Sequence, residues 1–583
     1  MAVEQLITQH IDTWTSALRT RSTAGRGTSG KIDLYGIKKL RELILELAVR
    51  GKLVPQDPND EPASELLKRI AAEKAELVKQ GKIKKQKPLP EINEDEKPFE
   101  LPVGWEWVRL GFITNYGECD KAEPRDATEN TWIVELEDIE KNTSRLINRS
   151  TFSERPFKSS KNKFNRGDVL YGKLRPYLDK VLVADNDGVC TTEIIPIKAY
   201  GNIIPDYLRL LLKSPRFINY ANESTHGMNL PRLGTEKATH AIVELTTFAE
   251  QQRIVEKVHE LMSLCDQLEQ QSLTSLDAHY QLVETLLATL TASQNAEELA
   301  ENWARISQHF DTLFTTESSI DALKQTILQL AVMGKLVPQD PNDEPASELL
   351  KRIEQEKAQL VKEGKIKKQK PLPAISEDEK PFELPVGWET VYMQDISELI
   401  TDGTHQTPKY TENGRPFVSA QCVKPFKFMP ENCRFVSEDD YQQYIKNRKP
   451  ELNDILLSRV GAGIGESAVI DSDLEFAIYV STGLIKPIKR NINSYYLVLW
   501  LNSPIGREFS SKYTYGKGVS QGNLNLSLIR SFLVSLPPRL EQERIVSRVN
   551  ELFSICDILK SRLQSAQQTQ LHLADALTDA ALN

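Results

Sequence analysis

The sequence predicts an α+β protein with two globular heads of mixed α/β structure. Long helices would join the heads and pack on each other as a coiled coil, with pseudo-two-fold symmetry between the halves. Three observations predict this fold class. A long internal repeat divides the 583 residues into two halves, each half contains a segment of short β-rich runs, and each such segment is followed by apolar residues at heptad spacing. A chain of this length is also too long for a single hydrophobic core.

The internal repeat is the strongest of these observations. Ile44–Val108 recurs 283 positions later as Ile327–Val391, and the two copies, called the repeat boxes below, differ at nine of 65 positions. Weaker echoes lie upstream, at Thr8–Thr13 and Ser307–Thr312. The period is far too long for a solenoid, so it indicates a pseudo-dimer within one chain, for which two-fold pseudosymmetry is natural.

Each repeat box predicts a helix followed by a connector. In the first box, Ala63 to Gly81 predicts a helix with Gly81 as its C-cap. The next residues, KIKKQKPLPEINEDEKPFELP, mix charged clusters with four prolines and predict an extended connector without a core. Segments 109–247 and 392–538 come next. Runs such as DVLYGKL and ILLSRV predict that these segments are compact α+β heads.

Heptad spacing follows each head and predicts a long helix. The apolar positions are Ile254, Val258, Leu261, Cys265 and Leu268 in the first half, and Ile545, Val549, Leu552, Cys556, Leu559 and Leu563 in the second. A helix of about 40 residues spans ~60 Å at 1.5 Å per residue, whereas one turn of B-DNA needs ~34–36 Å. The spacing favours two helices that pack on each other. The alternative is an amphipathic helix buried against its own domain.

These patterns predict five successive regions. They are an N-terminal helical region with linker at 1–100, a first recognition domain at 101–247, a central helical region with linker at 248–383, a second recognition domain at 384–540 and a distal helix at 541–583.

Composition and charge leave the class of partner open. The net charge is −9, but segments 109–247 and 392–538 each carry +1, so the acidic excess lies in the repeated frame. The six cysteines are scattered without a CxxC pair, which predicts a reducing, cytoplasmic location and no disulfide framework. No apolar run is long enough for a membrane span, and the first residues do not resemble a signal peptide.

No motif predicts a catalytic, metal or cofactor site in this chain. Gly167–Lys173 matches the first seven places of a P-loop, but Leu174 stands where the magnesium-binding Ser or Thr is needed. Gly461–Gly465 has GxGxG spacing, which a turn between strands explains better than a dinucleotide fingerprint. HExxH is missing from the sequence.

One basic run in the first half is the best candidate for a phosphate-binding or base-reading surface, since Lys and Arg neutralise phosphates and Arg can pair with guanine. The alternative is a solvated basic face. The candidates in this run are Arg155, Lys158, Lys161, Lys163, Arg166, Lys173, Arg175 and Tyr177. The second half offers fewer, namely Lys424, Lys427, Arg459, Lys512 and Lys517.

The layout resembles the specificity subunits of type I restriction-modification systems. The runs that carry the resemblance are LPVGWEWVRLG from Leu101 with its partner at Leu384, GDVLYGKLRPYLDKV from Gly167, NDILLSRVGAGIG from Asn453, and the EQ-x-RIV helices at Glu250 and Glu541. The order of these segments matches essentially the whole chain.

The resemblance implies a non-catalytic subunit that recognises double-stranded DNA. Each head would read one part of a split target in the major groove. The long helices would form an antiparallel coiled coil, whose length would set the unread spacer. Two modification subunits would bind S-adenosylmethionine and methylate adenine. Restriction subunits would add an ATP- and Mg-dependent endonuclease and translocase. The same segments also allow a two-headed protein-interaction scaffold without DNA reading, or a nucleotide-using enzyme that would require ATP turnover by the isolated chain.

Overall fold

The computed structural model describes residues 3–21, 31–227, 229–512, 514–515 and 522–582. The chain divides into two compact units. The first contains Ile32–Thr274 together with the chain from Gln567 onward, and the second is built mainly from Ser275–Ala566. No helix within the described ranges combines the length and apolarity of a membrane-spanning segment.

The first half of the chain begins with helices, forms an α+β head and ends on a long helix. Its helices are α1 (Val3–Gln9), α2 (Ile11–Ser16), α3 (Tyr35–Val49), α4 (Ala63–Lys79), α5 (Leu110–Ile113), α6 (Pro205–Lys213), α7 (Pro215–Glu223), α8 (Thr235–His240) and α9 (Phe248–Ala292). Its strands are β1 (Arg19–Arg21), β2 (Lys31–Asp33), β3 (Glu106–Arg109), β4 (Lys121–Ala122), β5 (Trp132–Val134), β6 (Ser150–Thr151), β7 (Lys161–Phe164), β8 (Val169–Gly172), β9 (Val181–Val183), β10 (Gly188–Cys190), β11 (Ile194–Ile197), β12 (Thr225–His226), β13 (Arg232–Leu233) and β14 (Ile242–Leu245).

The second half repeats this order. Its helices are α10 (Ala296–Gln308), α11 (Phe310–Leu313), α12 (Glu317–Val332), α13 (Ala346–Lys362), α14 (Glu438–Ile445), α15 (Ser494–Asn502), α16 (Pro504–Lys512), α17 (Leu526–Arg530) and α18 (Arg539–Leu582). Its strands are β15 (Glu389–Tyr392), β16 (Ser397–Asp402), β17 (Arg415–Val418), β18 (Val423–Lys424), β19 (Lys427–Phe428), β20 (Arg434–Val436), β21 (Ile455–Ser458), β22 (Ser467–Val469), β23 (Ala477–Ile478), β24 (Thr482–Pro487), β25 (Thr514–Tyr515), β26 (Asn523–Leu524) and β27 (Leu533–Leu536).

The two heads share a strand plan and differ in its extent. The first head has a five-stranded sheet, β4-β7-β10-β5-β6, and a three-stranded sheet, β11-β8-β9. The second has a four-stranded sheet, β16-β24-β21-β22, and a three-stranded sheet, β20-β17-β23. One parallel pair occurs in each, β10 with β5 and β17 with β23. The α+β fold predicted for both heads is confirmed.

The helix and connector of the repeat boxes form largely as predicted. Gly81 has φ +70° directly after α4, and the amide of Lys82 donates to Leu77 O (2.9 Å), so the helix ends in a glycine cap. The connector then turns every third side chain inward, at Ile83, Gln86, Leu89 and Ile92. A period of three is that of a polyproline-type chain. As predicted, the connector has no core of its own, since no residue from 82 to 102 is buried, although Ile83 packs against the core that contains α4.

A duplicated buried joint fastens each repeat box to the start of a long helix. Trp105 Nε1 donates to Glu250 Oε2 (2.8 Å), and Gln56 Nε2 donates to the other carboxylate oxygen (2.6 Å). In the second unit Trp388 Nε1 and Gln339 Nε2 donate to Glu541 at 3.0 and 3.1 Å. Burial raises the pKa of the Glu541 carboxyl above its ordinary value. The joint explains why the GW and EQ motifs occur in both halves.

The same motifs carry two further duplicated contacts. Arg253 and Arg544 pair with Asp60 and Asp343, each at 2.5 Å. The neighbouring Gln251 and Gln542 accept backbone N–H groups at the start of α6 and α15. These are the amides of Ile204 (3.0 Å) and Asn493 (2.8 Å). The first turns of each long helix are therefore bonded to both the repeat box and the head of the same unit.

The heptad residues are buried where the long helices begin. All five predicted positions of α9 are at most 5% exposed and belong to the same core as Leu40, Leu43 and Ile44 of α3. In α18, Ile545, Val549 and Cys556 are buried, and the other predicted positions are partly buried. The seam thus packs within its own unit at these positions. Pairing of α9 with α18 along their length stays a prediction.

Candidate nucleic-acid interface

A matched backbone position marks the same place in both heads. Lys173 follows β8 and Arg459 follows β21. The amide of Lys173 donates to Glu193 O (3.0 Å), and its carbonyl accepts from the Leu233 amide (3.0 Å). Arg459 makes the same two bonds, to Ser481 O (2.9 Å) and from the Leu524 amide (2.9 Å). A short hairpin, β12–β13 or β25–β26, lies beside each position.

The side chains at this matched position behave differently. Arg459 is 5% exposed, and its guanidinium donates to the Asp402 carboxylate, to Leu524 O (2.8 Å) and to Val480 O (3.1 Å). It is an internal anchor in this structure. Lys173 is partly exposed, and within the described part of the chain its ammonium has no hydrogen bond or ion pair. The first head therefore leaves a cation available where the second uses one internally.

Two members of the predicted basic run are held by acidic neighbours. Arg155 pairs with Asp138 (2.7 Å) and Glu137 (3.5 Å), and the hydrogen bond that it donates to Asp138 raises the pKa of its guanidinium. Lys161, on β7, pairs with Glu135 and is 12% exposed at its side chain. The Arg155 pair joins the turn after β6 to the residues that follow β5, and the Lys161 pair joins β7 to the same residues.

The rest of the run is more accessible. Lys158, Lys163, Arg166 and Arg175 are exposed, and Tyr177 is 51% exposed. Among the described residues, none of these four cations forms an ion pair. Arg175 has φ +52°, and its amide donates to Pro231 O (2.7 Å), which brings it beside the β12–β13 hairpin with Lys173.

The candidates in the second head lie on separate elements. Lys424 and Lys427 face each other across the β18–β19 hairpin, and both are exposed. Lys424 lies 3.8 Å from Glu466. Lys512 is exposed at the end of α16, and Lys517 lies outside the described residues.

Each head also touches the long helix of its own unit at a second place. Arg145 pairs with Asp266 of α9 (2.8 Å), and the loop carrying it is held by Lys213, whose ammonium bonds Asp179 (2.6 Å) and Ser144 (2.8 Å). Burial raises the pKa of Asp179 to about 6. In the second head the Phe426 ring meets Phe553 of α18 edge-on, with centroids 5.7 Å apart.

The loop that Arg459 anchors is not among the residues predicted from the sequence to contact DNA. Asp402–Thr404 is buried, His405–Thr407 is exposed and Pro408 is buried again. The loop contains no Lys, Arg, Phe, Tyr or Trp, the residue types from which the DNA-binding candidates were predicted. The signal that could have found it is the Asp-Gly turn followed by Thr-His-Gln-Thr and closed by Pro.

Comparisons with known proteins place the chain in a class of two-headed DNA-specificity proteins. Residues 385–568 match the family described as the type I restriction modification DNA specificity domain. The type I restriction enzyme EcoAI specificity subunit of Escherichia coli is 50% identical, and the EcoEI specificity subunit of the same species is 51% identical. Both alignments cover 100% of each chain.

The chain therefore belongs to the family of type I restriction enzyme specificity subunits. This confirms the resemblance and the DNA-recognition role predicted at family level. The alternative of a scaffold without DNA reading receives no support. A solved structure described as the basis of "complex assembly and conformational transition of the type I R-M system" shares the fold, with a TM-score of 0.52 and 19% identity over 83% of this chain and 99% of that chain.

Proposed function

We propose that each head reads one part of a split DNA target and that partner subunits carry out the chemistry. One observation carries this proposal. The joints between repeat box, head and long helix are the same in both units down to single hydrogen bonds, whereas the exposed ends of the heads differ. A repeated frame with unlike surfaces suits recognition of two different half-sites.

Phosphate contacts would fix the register, and other side chains would read bases. Five cations of the first head suit the phosphate role, namely the exposed Lys158, Lys163, Arg166 and Arg175 and the partly exposed Lys173. The chain has near-neutral heads and an acidic frame, so a share of the DNA affinity would come from partners that close around the duplex.

The partners proposed are two modification subunits and the restriction subunits. The modification subunits would bind S-adenosylmethionine, flip the target adenine out of the duplex and methylate it. The restriction subunits would use ATP and magnesium for translocation and cleavage. No group of His, Cys, Asp and Glu side chains suited to a metal ion occurs among the residues that the structure describes.

A duplicated groove supports the binding of one kind of partner twice. In the first unit it lies between α4, the connector and β3, with an apolar lining that includes Leu67, Val78, Ile83 and Phe112. The second unit has the same groove between α13, its connector and β15. Lysines line the edge of each groove and are exposed in both copies; they are Lys84, Lys85, Lys87, Lys367, Lys368 and Lys370. An acidic, partly apolar segment of a modification subunit would fit both grooves.

Exchange of one head tests the reading of two half-sites. Segment 109–247 is replaced by the corresponding segment of a relative with another target, and methylated sites are mapped by sequencing DNA from cells that express the full system. We expect one half-site to change and the other to persist. The reciprocal exchange of 392–538 is the matched control. A target that stays the same after both exchanges would contradict the proposal.

Insertion of one heptad into both α9 and α18 tests the spacer. Seven residues lengthen a helix by about 10 Å, which corresponds to about three base pairs at 3.4 Å each. The unread gap between the half-sites should grow while both half-sites stay the same. If the gap between the half-sites stays the same, the length of the helices does not set the length of the spacer.

Charge reversal of each lysine edge tests the grooves. Glutamates replace Lys84, Lys85 and Lys87 in one variant and Lys367, Lys368 and Lys370 in the other. Native mass spectrometry of the assembled complex should show loss of one modification subunit from each variant and of two from the combination. The exposed Lys38 and Lys68, replaced by Glu together, serve as a control.

A further inference from the structure

In the second head, we propose that the loop tip His405–Thr407 reads bases and that Asp402 and Arg459 are positioning residues for it. The inference rests on the proposed function and names the reading residues of one half-site. It begins from a contrast in burial. The tip consists of three consecutive exposed polar side chains, whereas the residues on either side, Thr404 and Pro408, are buried.

The base of the loop is fixed by backbone contacts. The amide of Thr404 donates to Ile478 O (3.0 Å), and its carbonyl accepts from the Val480 amide (3.1 Å), which adds a short parallel bridge to the strand β23. Gly403 lies so close to β23 that a Cβ would come within 2.1 Å of Ile478 O. Only glycine fits there, so the turn leaves the sheet at one defined place.

Two arginines bind the turn at Asp402 and Gly403. Arg448 donates to Asp402 O (2.9 Å) and Gly403 O (2.7 Å). Arg459 donates to the Asp402 carboxylate, which is also 3.2 Å from His405 Nε2. A carboxylate only accepts, so His405 Nε2 is the donor in this contact. The loop base is thus rigid, and the side chains beyond it are presented to solvent.

The chemistry of the tip suits base edges better than an apolar protein surface. Gln406 offers one donor and one acceptor side by side, the pair that matches N7 and N6 of adenine in the major groove. His405 and Thr407 add further polar groups on either side of Gln406. Beyond the buried Pro408, Lys409 is exposed and provides a cation for the neighbouring phosphates. A rigid support under such side chains is what selective recognition requires.

The test uses the complete complex of this chain with its partner subunits. The probes are duplexes that carry the target mapped for the unaltered complex, together with versions that have single base-pair changes in either half-site. The variant is Gln406→Ala, and its matched control is Gln442→Ala on α14, an exposed glutamine that bonds Glu438 of the same helix (2.8 Å). The measured quantity is the methylation rate on each duplex relative to the mapped target.

We expect Gln406→Ala to reduce discrimination about tenfold or more at one base pair of one half-site, the loss expected for a single bidentate contact. Discrimination in the other half-site should stay unchanged, and Gln442→Ala should leave both unchanged. Full discrimination in both half-sites would overturn the inference while leaving the proposed function intact. If the unaltered complex methylates no split target at all, the proposed function itself fails.

A double-mutant cycle separates positioning from general stability. Asp402→Asn should lower discrimination in the same half-site as Gln406→Ala. The double variant should discriminate hardly less than Gln406→Ala alone, because both substitutions disrupt the same base contact. A role in stability alone would lower the rate on every duplex alike and would add to the effect of Gln406→Ala. That additive result would overturn the positioning role of Asp402 and Arg459.

Discussion

Lys173 and Arg459 occupy the same backbone position in the two heads and do opposite things. The hydrogen bonds of their main chains agree to 0.1 Å, yet Arg459 is 5% exposed and anchors a loop, whereas Lys173 is partly exposed without a described partner. The difference lies in Asp402, which ends the six-residue strand β16. The first head has only an isolated bridge, Thr114 with Ala199, in the corresponding place. A cation is available for a ligand only where no internal acid takes it.

Each head also contacts the long helix of its own unit through a second contact, called its brace, and the two braces are different kinds of interaction. The first is an ion pair and the second is an aromatic contact. Arg145 is 60% exposed at its side chain and pairs with Asp266, which also accepts from Arg41. Phe426 meets Phe553 through ring contact. Salt screens the first brace and hardly affects the second. The joints between repeat box, head and long helix are shared by both units, whereas the braces differ.

The largest expected effect tests whether the duplicated joint is equally important in both units. Trp105 and Trp388 are 6% and 5% exposed. We expect Trp105→Ala and Trp388→Ala each to lower the free energy of unfolding of their own unit by about 3–5 kcal/mol. Calorimetric or urea unfolding measures this. Trp303→Ala, at a site 37% exposed, is the control and should change little. If one of the two substitutions leaves the free energy of unfolding nearly unchanged, the joint is not equally important in both units.

The next effect sharpens the contrast at the matched position. Arg459→Met leaves the buried Asp402 carboxylate without its cation, and we expect a loss of about 3 kcal/mol or more in the stability of the second unit. Lys173→Met should stay within about 0.5 kcal/mol, because it removes no internal partner. Urea unfolding of both variants decides the matter. Equal losses would show that Lys173 also has a structural role.

The smallest effect concerns the braces. A double-mutant cycle of Phe426→Ala with Phe553→Ala should give a coupling of about 0.5–1.5 kcal/mol that persists at high salt. The cycle of Arg145→Ala with Asp266→Asn should give less than about 1 kcal/mol and lose it as salt is added. Unfolding at low and high ionic strength measures both couplings. If the coupling between Arg145 and Asp266 persists at high salt, the two braces do not differ in their dependence on salt.

Much of the frame could be predicted because its signals are local or duplicated. The glycine cap after α4, the β-rich heads and the burial of the heptad residues at the start of α9 all follow from short-range patterns. The connector could not be predicted in full. The partial burial of every third side chain depends on an apolar wall that α4 and the residues around Phe112 form together, and the sequence pattern does not show which face of α4 contributes to it.

By itself, the sequence determined that this protein is a duplicated frame with two unlike heads, and its motifs identified the family. Only the tertiary structure decided which charged residues are free. Arg155, Lys161 and Arg459 belong to the predicted basic set, but Asp138, Glu135 and Asp402 neutralise them in the fold. The loop at His405–Thr407 contains no Lys or Arg, and the fold presents it on a rigid base. The physical reason is that charge is visible in a sequence, whereas burial and pairing arise from contacts between residues far apart along the chain.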